Sequence, residues 1–313
     1  MTQTPQYYRN LFTGIPVEFH VPDKARVVVV SDFFEKDLSG GAEMTLEALL
    51  KSSPTGAVSR LHSTSLTPEI LNKNKDKTWI IANYTLVSGE VIEDLANSTE
   101  INCSIIEFDF KFCAFRSTYR HMLERGTPCD CQGTQHGQVV EKLYRNAKNL
   151  FWMSERQKAV AEKAMPTLKT HLSSTVLSSV FDKETLAFLA MLRTRAKKNP
   201  NKVAMLSGGT WIKGVEQTEE WCKLHKLDYV KVGSKDYRSF LSELSSYGSF
   251  VFRPLDYDTC PRAVIEAKLL GLGLRLNENV LHQSEPWFAL SEDGVESYLR
   301  TRPEVFWNKV FCG

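Results

Sequence analysis

Four successive valines, Val27–Val30, sit inside the run "ARVVVVSDFF" (25–34). A strand with one wet face alternates apolar and polar residues. This run has no polar face, so both of its sides must be covered, as happens inside a parallel sheet flanked by helices. The next residues fit that demand: "EKDLSGGAEMTLEALLKS" reads as a glycine-bearing loop and then a helix. Further strands are expected at 56–63 ("GAVSRLHS"), 77–86 ("KTWIIANYTL"), 102–110 ("NCSIIEFDF") and 149–154 ("NLFWMS"). Helices are expected at Pro68–Asn72, at Glu90–Ala96 and over "ERQKAVAEKAM", which Pro166 ends. Strands that alternate with helices in this way make a parallel sheet with helices on both faces.

The alternation restarts after 167–200, a stretch with its own helix, "KETLAFLAMLRTRAKK". "KVAMLSGG", "DYVKVGS" and "SFVFRPL" read as strands, with "VEQTEEWCKLHK" and "YRSFLSELSSY" as the helices between them. A chain of 313 residues, 42% hydrophobic and 24% charged, can bury two cores. The expected fold class is therefore α/β, with two Rossmann-like parallel-sheet domains facing across a cleft. The first spans 1–168 and the second, smaller one 169–292. The terminal stretch 293–313 reads as an amphipathic helix able to fold back on either.

Composition excludes several classes. No apolar run approaches the ~20 residues of a membrane span, and the start "MTQTPQYYRN" lacks a secretory pattern, so a cytoplasmic location is expected. A net charge of +2 gives no general attraction to nucleic acid, and "RTRAKKNPNK" (193–202) reads as a solvated helix end and turn. Seven cysteines without a secretion signal argue for reduced thiols. Three of them, Cys113, Cys129 and Cys131, fall with His121 and His136 inside "CAFRSTYRHMLERGTPCDCQGTQHG" (113–137), read as mostly loop. Reduced thiols packed in that loop are the expectation, so no metal is assigned. A structural zinc on Cys113, His121, Cys129 and Cys131 is the alternative, with a redox pair behind it.

The chemistry is expected where the strands end. In "DYDTCPRAVIEAKLLG" (256–271) Pro261 suits the first turn of a helix, with Thr259 or Cys260 as its cap. The helix start offers the amides of Arg262 and Ala263 to phosphate oxygens. Glu266, a carboxylate in an otherwise apolar stretch, needs a partner: a hydroxyl-rich ligand, or Arg262 four residues earlier. After the first strand of the second domain, "SGGTWIKG" (207–214) supplies Gly208, Gly209 and Lys213, which read either as a diphosphate contact or as a plain turn with a surface lysine. In the first domain "SGGAE" (39–43) begins a helix but lacks the G-x-G-x-x-G spacing of a dinucleotide fingerprint.

These residues together resemble the retaining GT-B glycosyltransferases of family 4. That family carries an E-x7-E motif in its second domain, a basic pair, and a Gly-Gly loop in its first. Asp258 stands at the first acid, Glu266-Ala267 at the second acid and its neighbour, Lys213 at the lysine, and Gly40-Gly41 at the loop. The first acid is thus Asp, and the usual arginine before the lysine is missing, with Arg253 or Arg262 left to supply that charge. The resemblance implies a nucleotide-diphosphate sugar as donor, bound through Gly41, Gly208, Gly209, Arg253, Arg262 and Ala263. Glu266 would hold the ribose, Lys213 the departing diphosphate, and Asp258 the sugar. Sugar transfer to an unknown glycan, lipid or other acceptor would proceed with retention and need no cofactor. A first-domain histidine, His136 or His121, would contact the donor sugar, and Arg116, Arg120 and His136 would lie on the acceptor side. The rivals are a sugar-nucleotide epimerase on the same scaffold and a non-catalytic nucleotide- or glycan-binding protein.

Overall fold

The computed structural model describes residues 20–38, 40–234 and 236–312. The opening decapeptide, Ser39 of the Gly-Gly loop and Lys235 of "KVGSKDY" lie outside the described residues. The chain forms two compact units. The first runs to Met153 and adds Gln157–Leu177 and the chain from Pro303; the second comprises Ser154–Arg156 and Ser178–Arg302.

The first unit holds a six-stranded sheet in the order β2-β1-β3-β4-β5-β6, with every pairing parallel. Its strands are β1 (Val27–Ser31), β2 (Val58–His62), β3 (Thr78–Ile81), β4 (Cys103–Glu107), β5 (Asn149–Trp152) and β6 (Ser174–Val176). All five residues of β1 are buried, as the valine run requires. Helices α1 (Gly41–Lys51), α2 (Pro68–Lys73), α3 (Gly89–Asn97), α4 (Thr118–Arg125), α5 (Gln135–Asn146) and α6 (Glu155–Ala164, of which the part from Gln157 belongs to this unit) follow the strands. Four of them start on a side-chain cap: Thr67, Ser88, Ser117 and Thr134 accept from first-turn amides of α2, α3, α4 and α5. The sequence places a change of domain at 168/169. Ser174–Val176 pairs in parallel with β5, so the chain of the first unit continues to Leu177.

The second unit is a four-stranded parallel sheet, β10-β9-β7-β8. Its strands are β7 (Asn199–Leu206), β8 (Tyr229–Val232), β9 (Tyr247–Phe252) and β10 (Gly273–Leu276), with helices α7 (Lys183–Arg195), α8 (Val215–Leu224), α9 (Tyr237–Leu244) and α10 (Arg262–Leu269). Val203, Met205, Cys222 and Val251 form one packed cluster of its core. Helix α11 (Glu292–Cys312) divides at Pro303, which lies in its interior. Beyond the proline, Phe306 packs 4.6 Å from Phe151, and Trp307 donates its indole N–H to the Leu49 carbonyl at 3.0 Å. Among the described residues no helix is long and apolar enough to cross a membrane.

Two details differ from the sequence reading. The stretch 113–137, read as mostly loop, contains the eight-residue helix α4, a single 3-10 turn at Cys131–Gly133 and the start of α5. Pro261 does not lie inside α10 behind a Thr259 or Cys260 cap. It is itself the capping residue, with φ −62° and ψ 117°, and no side chain caps this helix start. The ring suits the observed φ, and a proline side chain carries no acceptor, so the first amides of the helix have no side-chain cap.

Candidate functional site

In the second sheet the chain leaves β7, crosses to β8 on one side, and returns to β9 on the other. The carboxyl ends of β7 and β9 therefore mark a switch point, where connections depart in opposite directions and open a crevice. Residues 207–214 follow β7, and 253–261 follow β9. The two loops are laced together: the Leu255 amide donates to the Ile212 carbonyl at 2.9 Å. Gly214 makes this possible, because at φ +59° a β-carbon there would lie 2.6 Å from the Arg253 carbonyl oxygen. The lacing brings Lys213 Nζ to 2.6 Å from Asp258 Oδ2, with the ammonium 5.6 Å from the centre of the Phe252 ring. The Asp258 backbone is pinned in turn, its amide donating to Asn279 and its carbonyl accepting from Leu281. A cation and an anion thus stand beside a helix start whose Arg262 and Ala263 amides have no intrahelical acceptor.

Glu266 lies one turn into α10 and is 2% exposed. Its Oε1 accepts from Tyr237 Oη at 2.5 Å and from Arg262 Nε at 3.4 Å. Among the described residues no donor reaches Oε2. Arg262 is buried too, its guanidinium 3.7 Å from the centre of the Phe181 ring and bonded to the Val180 carbonyl at 2.5 Å and to Tyr237 Oη at 3.3 Å. Burial pushes the Glu266 carboxyl up from its ordinary value, against the opposing pull of Arg262 and the Tyr237 hydroxyl. Burial, and after it the neighbouring carboxylate, raises the Tyr237 phenol. The partner that the sequence demanded for Glu266 is therefore supplied by the protein at one oxygen.

The other expected donor-side residues are placed less tellingly. Gly208 lies in open space, and Gly209, at φ +143°, lies against the Lys213 stem. Arg253 sits over the Trp221 ring at 4.8 Å and donates to the Leu276 carbonyl at 3.3 Å, so it is committed to the fold.

The first sheet has its own switch point between β1 and β3. Gly40 is the bare cap of α1, and Gly41 is the helix's first, exposed residue. Asp32, after β1, holds this corner: it accepts from Ser63 Oγ at 2.6 Å and from the Thr85 and Leu86 amides at 3.0 and 3.3 Å. Glu43, in the first turn of α1, is buried, and burial pushes its carboxyl up to about 7. Motif spacing gave Glu43 no role, although an acid next to "SGG" is visible in the sequence.

A buried polar network closes the end of β4. Glu107 accepts from Lys111 Nζ at 3.0 Å, from the Asp109 amide at 2.8 Å and from the Tyr144 hydroxyl, which itself accepts from Tyr84 at 3.0 Å. Burial raises the Glu107 carboxyl; at Asp109 burial is outweighed by Arg116 and Lys111, which hold the group below the ordinary carboxylate range. Arg116, expected on the acceptor side, is locked here. It bonds Asp109 at 2.6 Å through Nε, Thr85 Oγ1 at 2.7 Å and Asn83 Oδ1 at 3.3 Å. Arg120 pairs with Glu124 at 3.5 Å on the face of α4, and His136 donates Nε2–H to the Lys111 carbonyl at 2.8 Å. The four side chains Cys113, His121, Cys129 and Cys131 do converge, with their ligating atoms all within 4.8 Å of one another.

No family model matches the chain, and no curated protein sequence does. Solved structures share its fold. A UDP-forming α,α-trehalose-phosphate synthase from Burkholderia xenovorans aligns over 91% of this chain and 98% of its own, with a TM-score of 0.54 and 10% identity. A trehalose-6-phosphate synthase aligns over 91% and 95%, with a TM-score of 0.52 and 10% identity. An α-glucosyltransferase in complex with UDP aligns over 91% and 94%, at 11% identity and a TM-score of 0.47. With the two synthases the chain shares the two-domain parallel α/β fold of GT-B glycosyltransferases.

Proposed function

We propose that the chain is a glycosyltransferase that takes a sugar from a nucleotide-diphosphate donor. The observation that carries this reading is the Lys213–Asp258 pair, 2.6 Å apart beside the uncapped start of α10, on two loops that leave adjacent strands at a switch point. The sugar-transferring proteins of the same fold support it at the level of fold alone.

In this reading the diphosphate lies across the Arg262 and Ala263 amides. Lys213 turns from Asp258 to a phosphate oxygen. The donor–sugar bond breaks with negative charge building on the diphosphate, which the ammonium and the helix start stabilise. Asp258, released from its cation, then faces the anomeric carbon as positive character develops there. Glu266, oriented by Tyr237 and Arg262 through Oε1, offers Oε2 to a ribose hydroxyl. The chemistry needs no metal or organic cofactor, and the product keeps the anomeric configuration of the donor.

The direct test is a thermal-shift screen of nucleoside diphosphates and their sugars, followed by turnover. A donor at 100 times its Kd stabilises by about 2.7 kcal/mol. Release of nucleoside diphosphate with a new glycoside, at a rate independent of added magnesium or manganese, is the expected result. Binding without transfer to any acceptor or to water would reduce the chain to a binding protein.

A further inference from the structure

Outside the proposed donor site, the chain gathers three thiols and one imidazole at a single point. Their spacing is C-x7-H-x7-C-x-C, and they come from three segments: Cys113 from the loop after β4, His121 from α4, and Cys129 and Cys131 from the turn before α5. Cys113, His121 and Cys131 are buried, Cys129 is half-buried, and all three sulfurs are free thiols. His121 Nδ1 lies 3.2 Å from Cys131 Sγ and 4.0 Å from Cys113 Sγ. In a tetrahedral zinc site with Zn–S near 2.3 Å and Zn–N near 2.0 Å, the edges between ligating atoms are about 3.5–3.8 Å. The observed separations bracket those edges.

The imidazole is positioned for ligation through Nδ1. With Nδ1 facing the sulfurs, Nε2 on the far side of the ring lies 3.6 Å from the exposed Asp130 carboxylate, beyond hydrogen-bond distance. The Phe115 ring meets His121 edge-on, 5.6 Å between centres and at 88°, and fixes the ring plane. The backbone is shaped for the convergence. Gly126 ends α4 at φ +72° and turns the chain back toward Cys129. Gly137 lets α5 press on the cysteine turn, since a β-carbon there would lie 2.1 Å from the Cys131 carbonyl oxygen.

We infer that Cys113, His121, Cys129 and Cys131 bind one zinc ion as a closed Cys3His site. Four protein ligands leave no open position, so the ion holds structure rather than activating water. What it holds is the excursion 108–134 between β4 and α5, which has little regular structure beyond α4 and carries Arg116 at φ +56°. A segment of that length is uncommon in a compact domain, and a metal clip that closes it reduces the entropy of the unfolded chain.

The test is metal analysis of protein purified without added metal, with X-ray absorption at the zinc edge and thiol counting on the native protein. The expected result is one zinc per chain in a shell of three sulfurs and one nitrogen. Cys129→Ser, at the half-buried ligand, should lose stoichiometric zinc and unfold at a lower temperature. Folded wild-type protein without zinc and with its thiols titratable, a Cys129–Cys131 disulfide, or zinc kept at one per chain in both Cys129→Ser and His121→Ala would each overturn the proposal.

Discussion

Glu266→Gln separates the structural part of this carboxylate from its proposed part in ribose binding. The amide keeps the shape of the side chain and an oxygen for Tyr237 and Arg262, but puts a neutral NH2 group where Oε2 would take a ribose hydroxyl. Alanine would not serve, because it would leave Arg262 buried beside a cavity, and breaking a buried pair in that way costs about 3–5 kcal/mol. With glutamine two effects on stability oppose each other: Arg262 loses its counter-ion, and the burial penalty on the carboxylate disappears. The fold is therefore expected to survive. Donor binding changes differently. A hydrogen bond to a charged group is worth about 1.5–3 kcal/mol and a neutral one about 0.5–1.5, so the swap costs about 1–1.5 kcal/mol. That is a roughly tenfold rise in Kd, readable by calorimetry with whichever nucleotide sugar gives the largest thermal shift. Tyr237→Phe is the control: it strips the donor from Oε1 and lowers stability by about 1–3 kcal/mol, yet leaves Oε2 and hence donor affinity nearly unchanged. A natively folded Glu266→Gln protein with wild-type affinity would refute the ribose role and leave Glu266 as Arg262's counter-ion alone.

Lys213→Ala should lower turnover by about 100-fold or more while changing donor affinity less, because the charge it meets develops in the transition state; equal losses in kcat and affinity would count against that role. Glu43 carries a sign that pH reveals. Its folded value, pushed by burial from 4.5 to about 7, lies above the unfolded one, so its contribution to stability is full below 4.5 and is lost as pH rises through about 7. The stability of Glu43→Gln relative to wild type should therefore grow by up to about 3 kcal/mol from pH 4 to pH 8 in urea melts, and a flat difference would contradict the burial. Trp307→Ala removes an indole packed at Phe306 and bonded to Leu49, and should cost about 3–5 kcal/mol of first-unit stability by denaturant unfolding.

The strands legible in the sequence are those whose burial leaves a mark on composition. β1 is buried along its whole length and appears as a valine run. Trp79, Ile80 and Ile81 in β3, and Ile105 and Ile106 in β4, are equally enclosed. β6 escapes because Ser174, Thr175 and Val176 are only half-buried at the sheet edge, where a three-residue strand needs no apolar pattern. α4 is hidden for a related reason: His121 is its only buried residue, so no apolar stripe announces a helix, and the Ser117 cap and Gly126 stop are the local signals available. A stretch whose burial is made by thiols, an imidazole and a buried ion-pair network reads as loop when apolar periodicity is the guide.

The same division runs through the candidate site. Relations along one element are legible: Arg262 and Glu266 are four apart on α10 and do meet. Relations between elements depend on strand order, which nothing in β7, β8 or β9 encodes locally, since each is a short apolar run that would look the same in any position. Lys213 and Asp258 are 45 residues apart and pair only because β9 returns to the side of β7 away from β8. Tyr237, 29 residues before Glu266, reaches it from the start of α9 and sets which carboxylate oxygen is left over. Motif spacing alone can therefore name the acid but not its free oxygen. Yet that oxygen is what separates a binding carboxylate from a salt bridge. With Oε1 taken by a phenol and a guanidinium, the lone pairs of Oε2 are the ones the proposed ribose hydroxyl would use, and the rigidity of the Arg262–Tyr237 frame means that little side-chain entropy would be lost on binding.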